Sequence, residues 1–288
     1  MPLRRTTGSV VCPSCGSLVG INDEVCYTCG RRNPGMWGFA PLLRGLGRDM
    51  GFGPLVIGGC AVLYVLSLVL SRGDIGMNGL NLLAPSDQAL LLLGASGAAP
   101  VFGYHRWWSV LSAGWLHGSL LHIGMNMLWV RQLAPAVAEI WGPGRAVTIY
   151  TVAGAAGFLL SSSAFLVFGG LPFPMLRGAI LTVGASAPIF GLLGALVAYG
   201  RMGGSPHVTS EAKTYAILLF VFGLMGAGVD SYAHAGGFLG GYAMARMLNP
   251  FKAERLDHLI WGMVCLVATL LAVVASVVDS FLALGVLR

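Results

Sequence analysis

Charge is what this chain has least of. Acidic and basic side chains together make up 10% of its 288 residues, where soluble domains carry roughly 25%. That scarcity excludes an ordinary soluble globule. With 56% hydrophobic residues and 43 glycines, it leaves an all-α polytopic membrane protein. Acidic residues are also missing from the apolar runs, apart from Glu139 and Asp230 at their ends. A transporter would want paired carboxylates or broken helices at the bilayer midplane, so that class is disfavoured. The net charge of +6 reads as orientation information, and no nucleic-acid partner is expected. An early apolar segment is missing too. The first 35 residues are polar, so the first span is expected to act as its own insertion signal.

What is present is a series of seven apolar windows, at 50–71, 116–140, 146–168, 184–200, 214–229, 231–245 and 259–278. A helix crosses a bilayer in about 20 residues. The fifth and sixth windows fall short of that, so neighbours in a compact bundle must shield them. A long mixed stretch, 72–115, separates the first two windows and contains Pro85, Pro100, Trp107 and Trp108. The organisation this predicts is a polar module over 1–35, a basic connector over 36–52 lying on the membrane surface, a six-helix core over 53–250 and an additional helix within 251–288. Lysine and arginine set the orientation. With the N-terminus in the cytoplasm, twelve of the 17 basic residues fall inside and four outside. Seven spans then put the C-terminus outside. A bacterial inner membrane is the expected location, with the lipid bilayer as solvent.

In that orientation every even-numbered span begins on the outer side. Ser186 begins the fourth, His122 and Asn126 lie near the start of the second, and His234 near the start of the sixth. Polar groups on three helices therefore share one depth, and intramembrane ionisable groups are functional candidates. Taken singly, each has a plainer explanation. A membrane serine bonds its own helix backbone, and a histidine bridges two helices. His122 and Asn126, four apart on one helix face, could be packing glue. Together they fit serine hydrolysis. A histidine takes the hydroxyl proton, and side-chain N–H groups meet the developing oxyanion. A serine at a helix N-terminus also feels the positive end of the dipole. Pro188 is tolerated there because first-turn N–H groups are unpaired anyway. No cofactor is required for this chemistry. Around His234, Gly236/Gly240 and Gly237/Gly241 form two small-xxx-small pairs suited to close helix approach.

Three motifs carry a family resemblance. "GASA" followed by "IFG" resembles the GxSx nucleophile motif of the rhomboid family of intramembrane serine proteases. "LHGSLLHIGMN" resembles its second-helix motif, and "AHAGGFLGG" its sixth-helix histidine with trailing glycines. The resemblance spans roughly residues 54–250. It implies a six-helix rhomboid-like bundle opening outward, with one C-terminal helix appended. It implies a dyad without an obligatory aspartate, Ser186 as nucleophile and His234 as base, with His122 and Asn126 lining the oxyanion site. Gly184 and Phe190 would support the dyad, Phe190 as the aromatic that packs on the histidine. Trp108 matches the tryptophan of the family's first outer loop. The substrates implied are transmembrane proteins cut near the outer end of their helices. Two positions depart from the pattern. Ala187 follows the serine where glycine is usual, and its methyl is expected to tighten the oxyanion pocket. Ser109 stands where the loop's arginine is expected. Asp230, one turn before His234, reads as a helix-end residue rather than a third catalytic member.

The polar module has its own pattern. "CPSCG" and "CYTCGR" set Cys12, Cys15, Cys26 and Cys29 as two Cys-x-x-Cys pairs ten residues apart. That spacing predicts a structural Zn²⁺ ribbon, with Gly16 and Gly30 at knuckle turns. A reducing cytoplasm disfavours disulfides. Some thirty residues build little core, so the metal supplies folding energy. A protein partner for the ribbon is a further expectation. Cys60 and Cys265, in apolar runs, read as small hydrophobes. Two functional classes follow: an intramembrane endopeptidase, or a non-catalytic relative that binds or escorts membrane clients. Inactive relatives lack the serine or the histidine, and this chain keeps both.

Overall fold

The computed structural model describes residues 4–45, 47, 49–173, 176–225 and 229–283. Arg48 of the expected connector and residues 226–228 of the expected fifth span lie outside that set. Two short strands, β1 (Ser9–Val11) and β2 (Leu18–Gly20), pair antiparallel with Val10 opposite Val19. Their inward side chains join Cys12, Ile21 and Cys26 in a small buried cluster. The connector contains a 3-10 turn at Met36–Gly38 and a short helix, α1 (Ala40–Gly45).

The first apolar window is α2 (Phe52–Leu70). It buries Phe52, Val56, Cys60, Tyr64 and Ser67 as one stripe, the spacing of a helix with one inward face. Cys60 is fully buried and Cys265 half-buried. The mixed stretch folds into two short helices, α3 (Asp87–Leu93) and α4 (Ser109–Ser112), joined by tight turns. Six long helices follow: α5 (Leu120–Trp141), α6 (Pro143–Phe168), α7 (Ser186–Arg201), α8 (Pro206–Met225), α9 (Ser231–Met247) and α10 (Leu256–Ala283). With α2, they coincide with the seven apolar windows among the described residues. By length and composition, α2, α6 and α10 are each apolar enough to cross a membrane.

Local chemistry sets the boundaries. Ser119 caps α5, its hydroxyl accepting from His122 N at 3.3 Å, so the helix starts later than the window at 116. Pro143 opens α6 after Gly142, whose φ is 91°. The fifth span is longer than expected. Its helix runs back past Lys213 to Pro206 and has 20 residues, because a first-turn proline starts a helix well and polar residues continue it. The 16-residue α7 would be about 24 Å long, short for a bilayer. Every residue from Ala187 to Ala198 is buried, and α5, α6, α8 and α9 enclose it. No lipid contact is asked of it.

Glycines govern how α6, α7 and α9 meet. A Cβ on Gly237 would overlap Ala187 of α7, with its carbonyl carbon at 2.8 Å. One on Gly236 would come within 2.9 Å of the Cα of Gly157 on α6. The two glycine pairs of α9 therefore face two different helices: 237/241 meets α7 and 236/240 meets α6. The end of the bundle formed by Trp141, Arg145 and Met247 also receives the cysteine module. There Arg31 lies 3.9 Å from Glu254. Burial pushes the Glu254 carboxyl up from its ordinary range, against the Arg145 N–H and the charges of Arg31 and Arg145.

Gly237→Val is expected to lower the thermal stability of the bundle by at least about 1–3 kcal/mol, the usual cost of overpacking. Gly58→Val, at an α2 position with open space around it, serves as the control and should change it little. Thermal unfolding in detergent checks both.

Candidate active site

The chain entering α7 is held on both sides. Ser96 and Thr182 exchange backbone hydrogen bonds at 3.1 and 2.7 Å, and Gly184 N donates to Ala113 O at 3.0 Å. Gly184 has a φ of 132°, a conformation that disfavours side chains. Space forbids one as well. A Cβ there would lie 2.6 Å from His122 Nε2 and 3.7 Å from Ser186 Oγ. Gly184 thus lets the His122 ring approach the backbone immediately before Ser186. Ser186 begins α7 half-buried, between the fully buried Ala185 and Ala187. In the first turn of α7, Ser186 and Ala187 carry N–H groups with no partner within their own helix, and Pro188 has none.

Ser186 and Phe190, one turn apart, share a face of α7. His234 of α9 lies on that phenyl ring, 4.3 Å between centroids and 17° from parallel. It is 7% exposed. Asp230, one turn earlier, is the N-cap of α9. Its Oδ1 accepts from Ala233 N at 3.0 Å and its Oδ2 from Ser161 Oγ at 2.6 Å. Both carboxylate oxygens are engaged in fixing the start of the helix on α6.

On α5, His122 Nδ1 accepts from Gly118 N at 3.4 Å. Asn126, 6% exposed, donates one amide N–H to the His122 carbonyl at 3.0 Å. An amide NH₂ has a second donor. His117 was not among the residues singled out from the sequence, although it lies in "LHGSLLHIGMN". It is fully buried, stands edge-on to His122 at 5.1 Å, and its Nε2 accepts from Ala185 N at 3.4 Å. His117 thus links the start of α5 to the residue before Ser186. A second histidine five positions before His122 was the available signal.

The two departures are resolved by packing. The Ala187 methyl joins a buried cluster with Ala113, Phe158 and Ala233. It would lie 2.9 Å from a Cβ on Gly157. The missing side chain of Gly157 makes room for the methyl within the core. Ser109 is fully buried and donates to Ser96 Oγ at 3.2 Å. Three residues earlier, Arg106 donates to Asp279 at 2.7 Å and to Leu91 O at 3.2 Å. Trp108 Nε1 donates to Ser276 Oγ of α10 at 3.0 Å. Trp108 therefore anchors the loop to α10.

Against this geometry, a family model described as the Rhomboid domain matches residues 104–251, a stretch that holds all of these α5, α7 and α9 residues. The chain belongs to the rhomboid family, a class of multi-pass membrane proteins. It is similar to "Rhomboid-like protease 3" of Toxoplasma gondii, with 28% identity over 222 residues, covering 74% of this chain and 76% of that protein. "RHOMBOID-like protein 7" of Arabidopsis thaliana is 31% identical over 171 residues, 58% of this chain and 51% of that protein. "Rhomboid protease GluP" of Bacillus subtilis is 30% identical over 166 residues, 57% and 30% respectively. The chain spans about three quarters of the first relative, about half of the second and under a third of the third.

The cysteine cluster is a candidate metal centre outside the matched segment. The Sγ atoms of Cys12, Cys15, Cys26 and Cys29 all lie within 4.8 Å of one another. Cys12–Cys29 is 3.8 Å and Cys15–Cys26 is 3.6 Å. A tetrahedron of sulfurs about 2.3 Å from a metal has edges of about 3.8 Å, so the donor set fits a four-coordinate ion. Gly16 N and Gly30 N donate to Cys12 O and Cys26 O at 3.0 and 2.8 Å, closing the two knuckles. One metal ion per chain is expected in protein prepared with metal available, and Cys12→Ser should abolish its retention. Elemental analysis of the purified protein decides this.

Proposed function

We propose that this chain is an intramembrane serine endopeptidase in which Ser186 and His234 form a catalytic dyad. The observation that supports the reading best is the stack of His234 on Phe190, one turn along α7 from a serine at the helix N-terminus. Ser186 Oγ attacks the scissile carbonyl carbon as His234 takes the hydroxyl proton, and the carbonyl π electrons move to oxygen. The first-turn N–H groups of α7, the second amide N–H of Asn126 and the His122 ring stabilise that oxyanion. Collapse breaks the C–N bond, and His234 returns the proton to the leaving amine. Water then repeats the sequence on the acyl-enzyme, with His234 again as base.

The orientation that suits this reading puts the N-terminus in the cytoplasm and Ser186 toward the outer side, as in a bacterial inner membrane. Substrates are transmembrane proteins whose helices unwind near their outer end. A bond within an intact helix is shielded by its own hydrogen bonding. Glycine costs about 1 kcal/mol and proline about 3 relative to alanine in a helix interior, so either favours the unwound form. The metal of the cysteine module is read as structural Zn²⁺, because four thiolates at tetrahedral spacing suit zinc in a reducing compartment.

Purified protein is expected to be labelled covalently by a fluorophosphonate probe, with labelling and peptide cleavage both lost in Ser186→Ala and in His234→Ala. The losses should not add, since the two residues act as a unit. A fully active Ser186→Ala would end the protease reading. Asn126→Ala is expected to lower kcat by about 10²–10³. A raised KM at unchanged kcat would move Asn126 from the oxyanion site to substrate binding.

A further inference from the structure

Three charged side chains are buried together at the end of the bundle away from Ser186. Arg31 and Arg145 are each 3% exposed and Glu254 is 2% exposed. Buried charges are costly unless paired and hydrogen-bonded, so such a group dictates its surroundings. Arg145 stands in the first turn of α6. Its guanidinium donates to the carbonyl of Trp141 and to those of Leu248, Asn249 and Lys252, the last three at 3.1, 2.9 and 2.9 Å. One side chain thus holds the end of α5, the end of α9 and the connector to α10. Trp141 Nε1 adds a bond to Ala245 O in the last turn of α9, at 3.2 Å. Glu254 Oε1 accepts from Arg145 N at 3.0 Å, at a helix N-terminus where a carboxylate is favoured. Gly142 leaves room for it, because a Cβ there would lie within 2.7 Å of the Glu254 carboxylate.

The cysteine module enters the same cluster. Besides its 3.9 Å approach to Glu254 Oε2, Arg31 donates to Ser14 Oγ at 2.6 Å, and Ser14 Oγ donates to Glu254 O at 3.2 Å. The positions of these two residues are informative. Ser14 lies inside the Cys12–Cys15 knuckle. Arg31 follows Cys29 by two residues, and its carbonyl accepts from Cys26 N at 2.8 Å. Each knuckle therefore carries one docking group, and the spacing between the groups depends on what draws the four sulfurs together.

We propose that the cysteine ribbon is a metal-dependent clamp on this end of the bundle. Loading of the four cysteines sets Ser14 and Arg31 against Glu254, and Glu254 with Arg145 locks residues 248–254 and the foot of α9. The clamp stands apart from the proteolytic reading, and its test needs no turnover.

The test is hydrogen exchange on the full-length protein in detergent, metal-loaded and after chelation, with metal content measured throughout. Chelation is expected to speed amide exchange over 248–254 and the last turn of α9 by about fivefold, the scale of the one neutral hydrogen bond lost between Ser14 Oγ and Glu254 O. The middle of α2 should be unaffected. Metal-loaded Arg31→Met should reproduce the effect while keeping its ion, and Arg31→Lys should partly restore protection. Ser14→Ala makes the same comparison should Arg31→Met lose its ion. Thermal unfolding supplies a second readout, in which Arg31→Met adds little to the loss already caused by Glu254→Gln. Connector exchange that ignores chelation, or strictly additive losses in the double variant, would overturn the clamp.

Discussion

The closeness of α9 to α6 and α7 is the constraint on which the rest of this molecule depends. Inside a bilayer, helices gain little by hiding apolar surface from lipid, so they associate through contact density and polar links. Here contact density comes from removed side chains. Gly237 and Gly241 let the α9 backbone lie against Ala187 and Gly191, while Gly236 and Gly240 do the same toward Gly157 and Ala156. The Asp230 cap, bonded to Ser161 of α6, fixes the axial position of the helix. With its depth and distance fixed, the ring of His234 has Phe190 as its platform. Ser186, Phe190 and His234 are consequently positioned by backbone contacts, which do not change rotamer.

The two solvents of the protein are visible in its surfaces. α2 and α10 keep wide apolar faces outward, with Val62, Val69, Trp261 and Leu270 all more than half exposed, whereas α7 keeps none. Outer helices meet hydrocarbon, and the inner helix meets only protein. This arrangement frees α7 from the length rule that lipid imposes.

What the sequence made legible was whatever is local or periodic. Apolar windows marked the helices, two Cys-x-x-Cys pairs marked the ribbon, and three motifs marked the helix starts where Ser186, His122 and His234 lie. The start of α8 was less legible because Lys213 interrupts the apolar run without interrupting the helix. The packing of the Ala187 methyl depends on an absent side chain on another helix, Gly157, and no reading along one strand of sequence supplies that. His117 was present in a motif already noticed, but its role arises only where α5 meets the approach to α7. The Arg31–Glu254 contact spans more than two hundred residues and joins two segments that look independent. The domain boundary expected near residue 250 hides it.

Trp108 finds its indole partner in Ser276, 168 residues later, and Arg106 finds Asp279, 173 residues later. A chain made from its N-terminus has long completed this loop when those partners emerge. Until the last helix is made, the loop lacks both of these tethers, although the residues of α7 and α9 have already been synthesised. The docking of the loop on α10 therefore comes last in the order of synthesis. The appended helix acts as a finishing seam that sews an early segment to a late one, and the six helices before it do not amount to a finished article of the same shape.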